Sequence, residues 1–217
     1  QGLCVKVFER DEDQERIIKI MSETTAPGCV NGSGVGAGKT YSMVRVAQNR
    51  GGERVLIIGK PNTYLAWRET VRAVTGRDLL LCANSAQDGI PAAMAKANMA
   101  DAQAGTDGWF FVGREMFLSQ CRKKVPCFDR KKEPIMGPRT GKQKIRTDFD
   151  YKWGKVAPFG MAIYDECQQV SSTTAKSNQA FKYLQSEFKA LVSADWFGSD
   201  LSNMYNIANL AFPGWLD

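Results

Sequence analysis

The stretch that decides the fold is residues 28–40, GCVNGSGVGAGKT, in which a short apolar run leads directly into a glycine-rich loop ending in Lys39-Thr40. Glycines let backbone N–H groups wrap around phosphates, and the N-terminus of a following helix adds a favourable dipole. We therefore expect a strand over 28–31, a helix that begins at Gly38, and a phosphate site between them. Ser33 stands where the generic pattern has glycine, so only the second half of that pattern is met.

Each residue of the glycine-rich loop has an expected role. The backbone of Gly36, Ala37 and Gly38 is expected to hold phosphate oxygens, and the ammonium of Lys39 to reach the β and γ phosphates. The hydroxyl of Thr40 is the expected protein ligand of Mg²⁺. The loop therefore predicts ATP and Mg²⁺ as cofactors, with a chance glycine-rich turn as the alternative.

A second candidate site lies at Asp165-Glu166, directly after the apolar run 159–164. Asp165 is placed to hold Mg²⁺ and Glu166 to orient and polarise an attacking water, while Mg²⁺ and Lys39 neutralise charge on the transferred phosphoryl group. An Asp-Glu pair at a strand end is common, so by itself it is a weak indication of catalysis. Together with the upstream glycine-rich loop it becomes a strong one. The two motifs together predict ATP hydrolysis.

Strand-like and helix-like segments alternate along the chain. Strands are expected at 54–59, 79–82, 109–112 and 190–194, and helices at 11–22, 91–104, 114–120 and 201–210. Such alternation predicts an α/β fold with a mostly parallel central sheet covered by helices on both faces. Ligands then bind at the carboxyl ends of the strands. We expect the 217 residues to form a single domain.

Composition narrows the class of protein. Apolar residues make up 43% and charged residues 24%, as in an ordinary globular domain. No stretch is long and apolar enough to cross a bilayer, and the first residues lack the order of a secretion signal, so we expect an intracellular protein without a membrane partner. Six scattered cysteines without any histidine favour reduced thiols over a zinc site.

The positive charge is concentrated in one window. Residues 122–155 carry twelve Lys or Arg and four Asp or Glu, a net charge of +8 against +6 for the whole chain. Its prolines and glycines argue against a regular element, so we interpret 119–156 as an insertion. Either a polyanion-binding surface or a solvated loop explains it. Candidate nucleic-acid ligands are Lys123, Lys124, Lys131 and Lys132. Tryptophans are more often core residues than base-stacking platforms, and Trp153, which lies inside the basic window, is the candidate exception.

These motifs resemble those of superfamily 2 helicases and translocases. The run 36–40 resembles motif I, and Asp165-Glu166-Cys167-Gln168 resembles the D-E-x-H or D-E-x-Q box of motif II. The resemblance implies that Gln168 couples the nucleotide site to motif III. It also implies that Gln14, which stands where the family has a glutamine upstream of motif I, recognises adenine.

Within that superfamily the Swi/Snf-type branch is the most similar. The run 55–61 with Trp67 and Glu69 resembles motif Ia, and the run 109–115 resembles the next motif, a strand and polar turn that touch the DNA backbone. Lys60 and Arg114 are the implied DNA contacts in these two motifs. The tail 191–214 resembles the motif III region, although residues 193–196, SADW, depart from the T-G-T-P box of that branch.

The resemblance implies a RecA-like P-loop NTPase lobe, the first lobe of a DNA-dependent ATPase that moves along double-stranded DNA. A second RecA-like lobe, which brings arginine fingers, is not supplied by these 217 residues, so we expect the isolated lobe to be nearly inactive. We expect a monomer that is cytoplasmic in a bacterial or phage-infected cell, or nuclear in a eukaryote, and the compact form of the motifs suggests a phage protein.

Two other functions remain open at this point. One alternative is a different P-loop motor, such as a viral packaging ATPase, which also pairs a phosphate loop with a terminal Asp-Glu. The other alternative is a non-catalytic DNA-binding module in which the nucleotide site is vestigial and the basic window binds DNA. Replacement of Lys39 by Ala separates the enzyme from the module, because only the enzyme needs nucleotide binding.

Overall fold

The protein is described by a computed structural model over residues 12–137, 141–150, 153, 156–173, 175–195 and 201–213. The helices are α1 (Glu12–Glu23), α2 (Lys39–Asn49), α3 (Tyr64–Thr75), α4 (Ala92–Ala104), α5 (Arg114–Gln120), α6 (Lys176–Tyr183) and α7 (Leu201–Ala211). The strands are β1 (Gly28–Asn31), β2 (Arg54–Gly59), β3 (Leu79–Cys82), β4 (Gly108–Gly113), β5 (Arg122–Pro126), β6 (Ile145–Phe149), β7 (Phe159–Asp165) and β8 (Ser186–Val192). Short 3-10 turns lie at Pro61–Thr63 and Cys167–Val170.

Six strands form one parallel sheet in the order β1-β8-β7-β2-β4-β3. The central strand β2 is buried along its whole length, which explains its continuous run of apolar residues. Because every strand of this sheet points the same way, all of their carboxyl ends lie along one edge. The loops that follow those ends therefore line the expected ligand-binding edge.

Helices cover both faces of the sheet and bury a hydrophobic core on each. One core receives side chains from α1, α2 and α3, among them Ile18, Val46 and Trp67. The other receives side chains from α5, α6 and α7, among them Phe117, Phe181 and Ile207. The predicted α/β architecture, with a mostly parallel sheet between two layers of helices, is confirmed.

Several element boundaries differ from the sequence-based expectation, most of them by one residue, and β8 differs most because it already begins at Ser186. Helix α2 begins at Lys39, because Gly38 adopts a left-handed conformation (φ 67°) outside helical geometry. Strand β8 ends at Val192, with Ser193 and Ala194 beyond it, whereas a strand was expected over 190–194. None of the helices in the described ranges is long and apolar enough to span a bilayer.

The expectation that the basic window lacks regular structure was wrong. Strands β5 and β6 pair antiparallel over five residue pairs, from Arg122 opposite Phe149 to Pro126 opposite Ile145. Proline is compatible with this ladder because Pro126 lies at the end of a two-stranded ribbon, where no neighbouring strand needs its N–H. Domain boundaries, including the limits of the insertion, stay predictions.

Trp153 is a core residue. Its side chain is buried and packs between Phe117 and Phe159, at ring-centroid distances of 5.6 and 6.2 Å. Base stacking by Trp153 is therefore excluded in this fold. The three buried rings belong to the hydrophobic core that α5 and β7 share.

The buried cysteine thiols are unreactive because burial disfavours their thiolate form. Cys29, Cys82 and Cys167 are free and buried. Burial raises the pKa of the Cys29 thiol to about 12, and it does the same for Cys167. These residues therefore behave as small apolar side chains.

Candidate nucleotide site

The glycine-rich loop joins the end of β1 to the start of α2 at the carboxyl edge of the sheet. Gly36 and Gly38 both have positive φ, 79° and 67°. A Cβ at Gly38 would collide with the side-chain amide of Gln14, whereas a Cβ at Gly36 would meet nothing within 4 Å. The loop is therefore closed by α1 at Gly38 and open at Gly36, which leaves its backbone accessible to a phosphate.

The side chain of Lys39 folds back over this loop. Its Nζ donates hydrogen bonds to the carbonyl oxygens of Ser33 at 2.9 Å and Gly34 at 2.6 Å. Two of the three N–H donors of the ammonium are thus used by the first half of the loop. Lys39 therefore lies over its own loop, and its expected contact with the β and γ phosphates stays a prediction.

Gln14 also contacts the loop directly. Its Nε2 donates to the carbonyl oxygens of Ala37 at 3.3 Å and Gly38 at 3.4 Å, from its position in the first turn of α1. The structure therefore brings Gln14 to the phosphate loop across 23 residues of sequence. Adenine recognition by this residue remains a prediction.

Asn31 at the end of β1 holds the glycine-rich loop through hydrogen bonds to Ser33. Its side chain is buried, and its Oδ1 accepts hydrogen bonds from Ser33 Oγ and from the Ser33 backbone N–H, the latter at 3.2 Å. The backbone N–H of Ser33 can only donate, so the Asn31 atom that faces it must be Oδ1 and not Nδ2. This contact assigns the orientation of the Asn31 side-chain amide. The Asn31 Nδ2 consequently has no hydrogen-bond partner among the described residues.

Asp165 ends β7 at the same edge of the sheet. The register aligns Asn31 of β1 with Val192 of β8, and Val192 with Asp165 of β7. One strand separates β1 from β7, so the strand ends that carry the two motifs are ~10 Å apart. Lys39 and the Asp165-Glu166 pair therefore lie on one edge, which is the arrangement that a shared nucleotide requires.

The carboxylate of Asp165 is half-buried and accepts a hydrogen bond from a side chain of α3. Trp67 Nε1 donates to Asp165 Oδ2 at 3.1 Å. Burial raises the pKa of the Asp165 carboxyl above its usual range, the Trp67 hydrogen bond opposes this, and the charge of Glu166 raises the pKa further. Thr40 and Asp165 both offer oxygen ligands, which suit Mg²⁺, and a divalent cation would neutralise this buried carboxylate.

Gln168 links the Asp-Glu pair to the end of β8. Its Nε2 donates to Glu166 Oε2 at 2.6 Å, and its Oε1 accepts from Ser193 Oγ at 2.7 Å. The Ser193 backbone N–H in turn donates to the Asn31 carbonyl oxygen at 3.2 Å. A series of hydrogen bonds thus connects Glu166 through Gln168, Ser193 and Asn31 to the glycine-rich loop.

Glu166 itself has an unusual backbone. Its φ of 57° and ψ of 56° place it in the left-handed region, which few non-glycine residues adopt. This conformation turns the chain sharply out of β7 into the 3-10 turn at Cys167–Val170. The uncommon backbone conformation thus occurs at the residue that is expected to orient the attacking water.

The candidate DNA-binding residues fall into two groups. Lys60 is exposed and follows β2 at the carboxyl edge, while Arg114 begins α5 directly after β4 and is close enough for its charge to lower the pKa of Asp165. Lys123, Lys131 and Lys132 are exposed on or near the β5–β6 hairpin. The side chain of Lys124 lies outside the described part of the chain.

Three residues of the site were not predicted to contact it. The indole of Trp67 was assigned only to a family motif, yet it hydrogen-bonds Asp165. Asn31 and Ser193 were assigned no role, yet they join the two motifs. A sequence signal existed for both, since each is a polar residue that comes directly after an apolar run, and in parallel sheets ligands bind at the carboxyl ends of the strands.

Sequence comparisons return no relative for this chain, but its fold has matches among solved structures. No family model matches the chain, and no curated protein does. The ATPase core of a Sulfolobus solfataricus SWI2/SNF2 protein, solved in complex with double-stranded DNA, matches with a TM-score of 0.60 at 13% sequence identity. The fold is RecA-like.

The match extends over most of this RecA-like chain. It covers 93% of the chain and 34% of the solved chain, so the chain spans about a third of the length of the structure that it matches. The expected RecA-like fold is therefore confirmed. At 13% identity the likeness concerns the fold, and the roles of individual residues stay predictions.

Proposed function

We propose that this chain is the ATP-binding lobe of a DNA-dependent ATPase of the helicase or translocase type. The observation that carries the proposal is the position of the Lys39 loop and of Asp165-Glu166 at one edge of the sheet, one strand apart. Support comes from the solved neighbour, which is an ATPase core bound to double-stranded DNA. ATP and Mg²⁺ are the proposed cofactors.

Nucleotide binding begins at the loop. The backbone N–H groups of Gly36, Ala37 and Gly38 take the phosphates at the open side of the loop. Lys39 exchanges its bonds to the Ser33 and Gly34 carbonyls for phosphate oxygens, a charge-assisted interaction that is stronger than a bond to a neutral carbonyl. The amide of Gln14, already at the loop, lies where it can contact the rest of the nucleotide.

Hydrolysis is assigned to the carboxylate pair. Thr40 and Asp165 would hold Mg²⁺, which supplies charge neutralisation on the phosphates when bound. Glu166 orients the attacking water and accepts its proton. Gln168 holds the Glu166 carboxylate through the 2.6 Å hydrogen bond and therefore acts as a positioning residue.

Contacts with DNA and with a second lobe complete the proposed enzyme. Lys60 and Arg114 follow neighbouring strands at the carboxyl edge and are the proposed backbone-phosphate contacts there. A second RecA-like lobe, outside these 217 residues, would supply the arginine finger, and its absence from the assay is expected to lower turnover by ~10³-fold or more. We therefore choose nucleotide binding as the first readout.

The test uses two variants and a control in the 217-residue chain. Lys39→Ala is expected to weaken binding of a fluorescent ATP analogue at least tenfold, whereas Glu166→Gln retains that binding and abolishes the residual hydrolysis. Lys96→Ala, which removes an exposed lysine of α4, is the control for loss of charge. It is expected to leave both nucleotide binding and the residual hydrolysis unchanged. Undiminished hydrolysis by Glu166→Gln would overturn the assignment.

One observation favours a non-catalytic alternative. Lys39 already satisfies two donors on the carbonyls of its own loop, as a residue in a vestigial site would. In that case the wild-type chain binds DNA but no ATP analogue at millimolar concentration. Measured nucleotide binding that depends on Lys39 decides against this alternative.

A further inference from the structure

The β5–β6 hairpin continues beyond its strands into a compact tip. Three backbone hydrogen bonds close it: Cys127 N–H to Lys144 O at 2.8 Å, Ile135 N–H to Cys127 O at 3.0 Å, and Lys144 N–H to Ile135 O at 2.6 Å. Isolated bridges pair Phe128 with Pro134 and Met136 with Gln143. The described residues of the tip, 127–137 and 141–144, are therefore joined at a junction formed by Cys127, Ile135 and Lys144.

Large apolar side chains are exposed around this junction. Phe128, Met136 and Ile145 directly follow Cys127, Ile135 and Lys144, the three residues that those hydrogen bonds join, so their backbones lie close together. We call these three side chains the apolar face. Their exposed fractions are 54%, 54% and 57%. The hairpin tip therefore presents large apolar side chains to solvent, which is unfavourable unless they have a partner.

The apolar face is surrounded by positive charge. Exposed cationic side chains of the hairpin and its tip are Lys123, Arg130, Lys131, Lys132, Lys142, Lys144 and Arg146. Two of the carboxylates are engaged locally: Asp129 Oδ1 accepts the N–H groups of Lys131 and Glu133 at 2.8 and 2.9 Å, and Asp148 pairs with Arg146 at 3.0 Å. The surface is therefore complementary to a polyanion with apolar faces.

A nucleic acid fits this combination better than a protein does. Lysine is depleted in the cores of protein interfaces, whereas proteins that grip nucleic acids combine phosphate-binding cations with apolar side chains that stack on bases or wedge between them. An intact duplex offers base faces only after unstacking, so a single strand is the better ligand.

We propose that the tip of the β5–β6 hairpin binds nucleic acid through its bases, with Phe128 stacking on one base and Met136 and Ile145 packing beside it. The surrounding lysines bind the phosphates on either side. This inference rests on the proposed DNA-dependent function and adds to it a preference for unpaired strands or fork junctions over blunt duplex. It also replaces Trp153 by Phe128 as the base-contacting aromatic residue.

The experiment measures affinity by fluorescence anisotropy for three probes. These are a single-stranded oligonucleotide, the same oligonucleotide with abasic sites over its central segment, and a blunt duplex of equal length. The variant Phe128→Ala/Met136→Ala is expected to lose about tenfold in affinity for the single strand, the effect of one stacked base, and little for the abasic strand. Because both side chains are exposed, the variant is expected to retain the fold, which a thermal melt verifies.

Two control variants make the result specific. Ile20→Ala/Met94→Ala removes apolar side chains of similar exposure, 58% and 55%, from α1 and α4, and leaves all three affinities unchanged. Lys131→Ala/Lys132→Ala weakens binding to the intact and the abasic strand alike and flattens the salt dependence of both. Equal losses by Phe128→Ala/Met136→Ala on the intact and abasic strands would overturn the inference.

The remaining outcomes separate this inference from the function on which it rests. If the wild-type chain binds DNA and the apolar variant binds it equally well, the inference fails, the proposed function stands, and the apolar face is left for a protein partner. If the wild-type chain binds none of the three probes at low salt, both the inference and the DNA-dependent function fail. Binding of the ATP analogue is expected to be the same in all the hairpin variants.

Discussion

The indole N–H of Trp67 donates a 3.1 Å hydrogen bond to Oδ2 of Asp165, which joins α3 to the end of β7 at the candidate nucleotide site. Trp67 is buried against the sheet, so its donor is held rigidly. The contact fixes the orientation of the carboxylate that we assign to Mg²⁺. Its removal therefore affects both the stability of the fold and the site.

Trp67→Phe keeps most of the ring and removes only the donor. The unfolding free energy is expected to fall by ~1.5 to 3 kcal/mol at neutral pH, the range for a hydrogen bond to a charged group, and Mg²⁺-dependent nucleotide binding is expected to weaken. Urea denaturation and nucleotide titration measure the two effects. Trp109→Phe is the matched control, because the buried Trp109 Nε1 has no partner among the described residues. Identical losses in both variants would show that the hydrogen bond has no role.

Asp165→Asn is expected to stabilise the nucleotide-free protein. The pKa of the folded carboxyl is raised, so the folded state binds more protons than the unfolded state between the two pKa values, and stability is lost as pH rises through that window. Asparagine does not titrate and still accepts the Trp67 hydrogen bond. The variant should therefore melt higher than the wild type at pH 8, and the difference should shrink as the pH is lowered toward 4. A difference that grows on acidification would contradict the account.

Gln168 and Ser193 are expected to be energetically coupled. A double-mutant cycle with Gln168→Ala and Ser193→Ala should give a coupling free energy of ~0.5 to 1.5 kcal/mol in urea unfolding, as expected for one hydrogen bond. Ser177, which donates instead to the Gln169 carbonyl at 2.9 Å, provides the control partner for Gln168. If the changes in unfolding free energy of the two single variants simply add in the double variant, the proposed coupling between Gln168 and the end of β8 is contradicted.

Asn31→Leu is expected to loosen the phosphate loop without a large loss of stability. The substitution removes the acceptor for Ser33 and also removes a buried N–H that has no partner, so its two effects on the unfolding free energy oppose each other. Hydrogen exchange of the loop amides 33–38 should accelerate. Asn98→Leu, a buried asparagine on α4 that donates to the Leu81 carbonyl, should leave that exchange unchanged. Unaltered exchange in Asn31→Leu would show that Asn31 does not hold the loop.

The sequence alone was sufficient to predict which residues lie at the carboxyl ends of the parallel strands. Lys39 and Asp165 each come directly after an apolar strand, and in a parallel sheet that alone places them on one edge. The contact between Trp67 and Asp165 was not predictable in this way. It depends on how α3 is rotated and placed against the sheet, and the sequence of a helix specifies its buried face without specifying which strand end that face meets.

The hairpin was missed for a different reason. Its strands carry charged residues on both faces, as in Arg122-Lys123-Lys124, so the alternation of apolar and polar residues that marks a half-buried strand is absent. The prolines and glycines that argued against structure lie at or beyond the ends of the ladder. Trp153 was considered for base stacking because of its basic neighbours, and only the three-dimensional packing with Phe117 and Phe159 shows it to be core.

The central claim, that Lys39 and Asp165 serve one Mg²⁺-nucleotide, is tested most directly by titrating an ATP analogue with and without Mg²⁺ into the wild type, Lys39→Ala and Asp165→Asn. We expect Mg²⁺ to increase the affinity of the wild type, Asp165→Asn to lose that increase while retaining the Mg²⁺-free affinity, and Lys39→Ala to weaken binding under both conditions. An Asp165→Asn protein whose affinity rises with Mg²⁺ as much as that of the wild type would contradict the account.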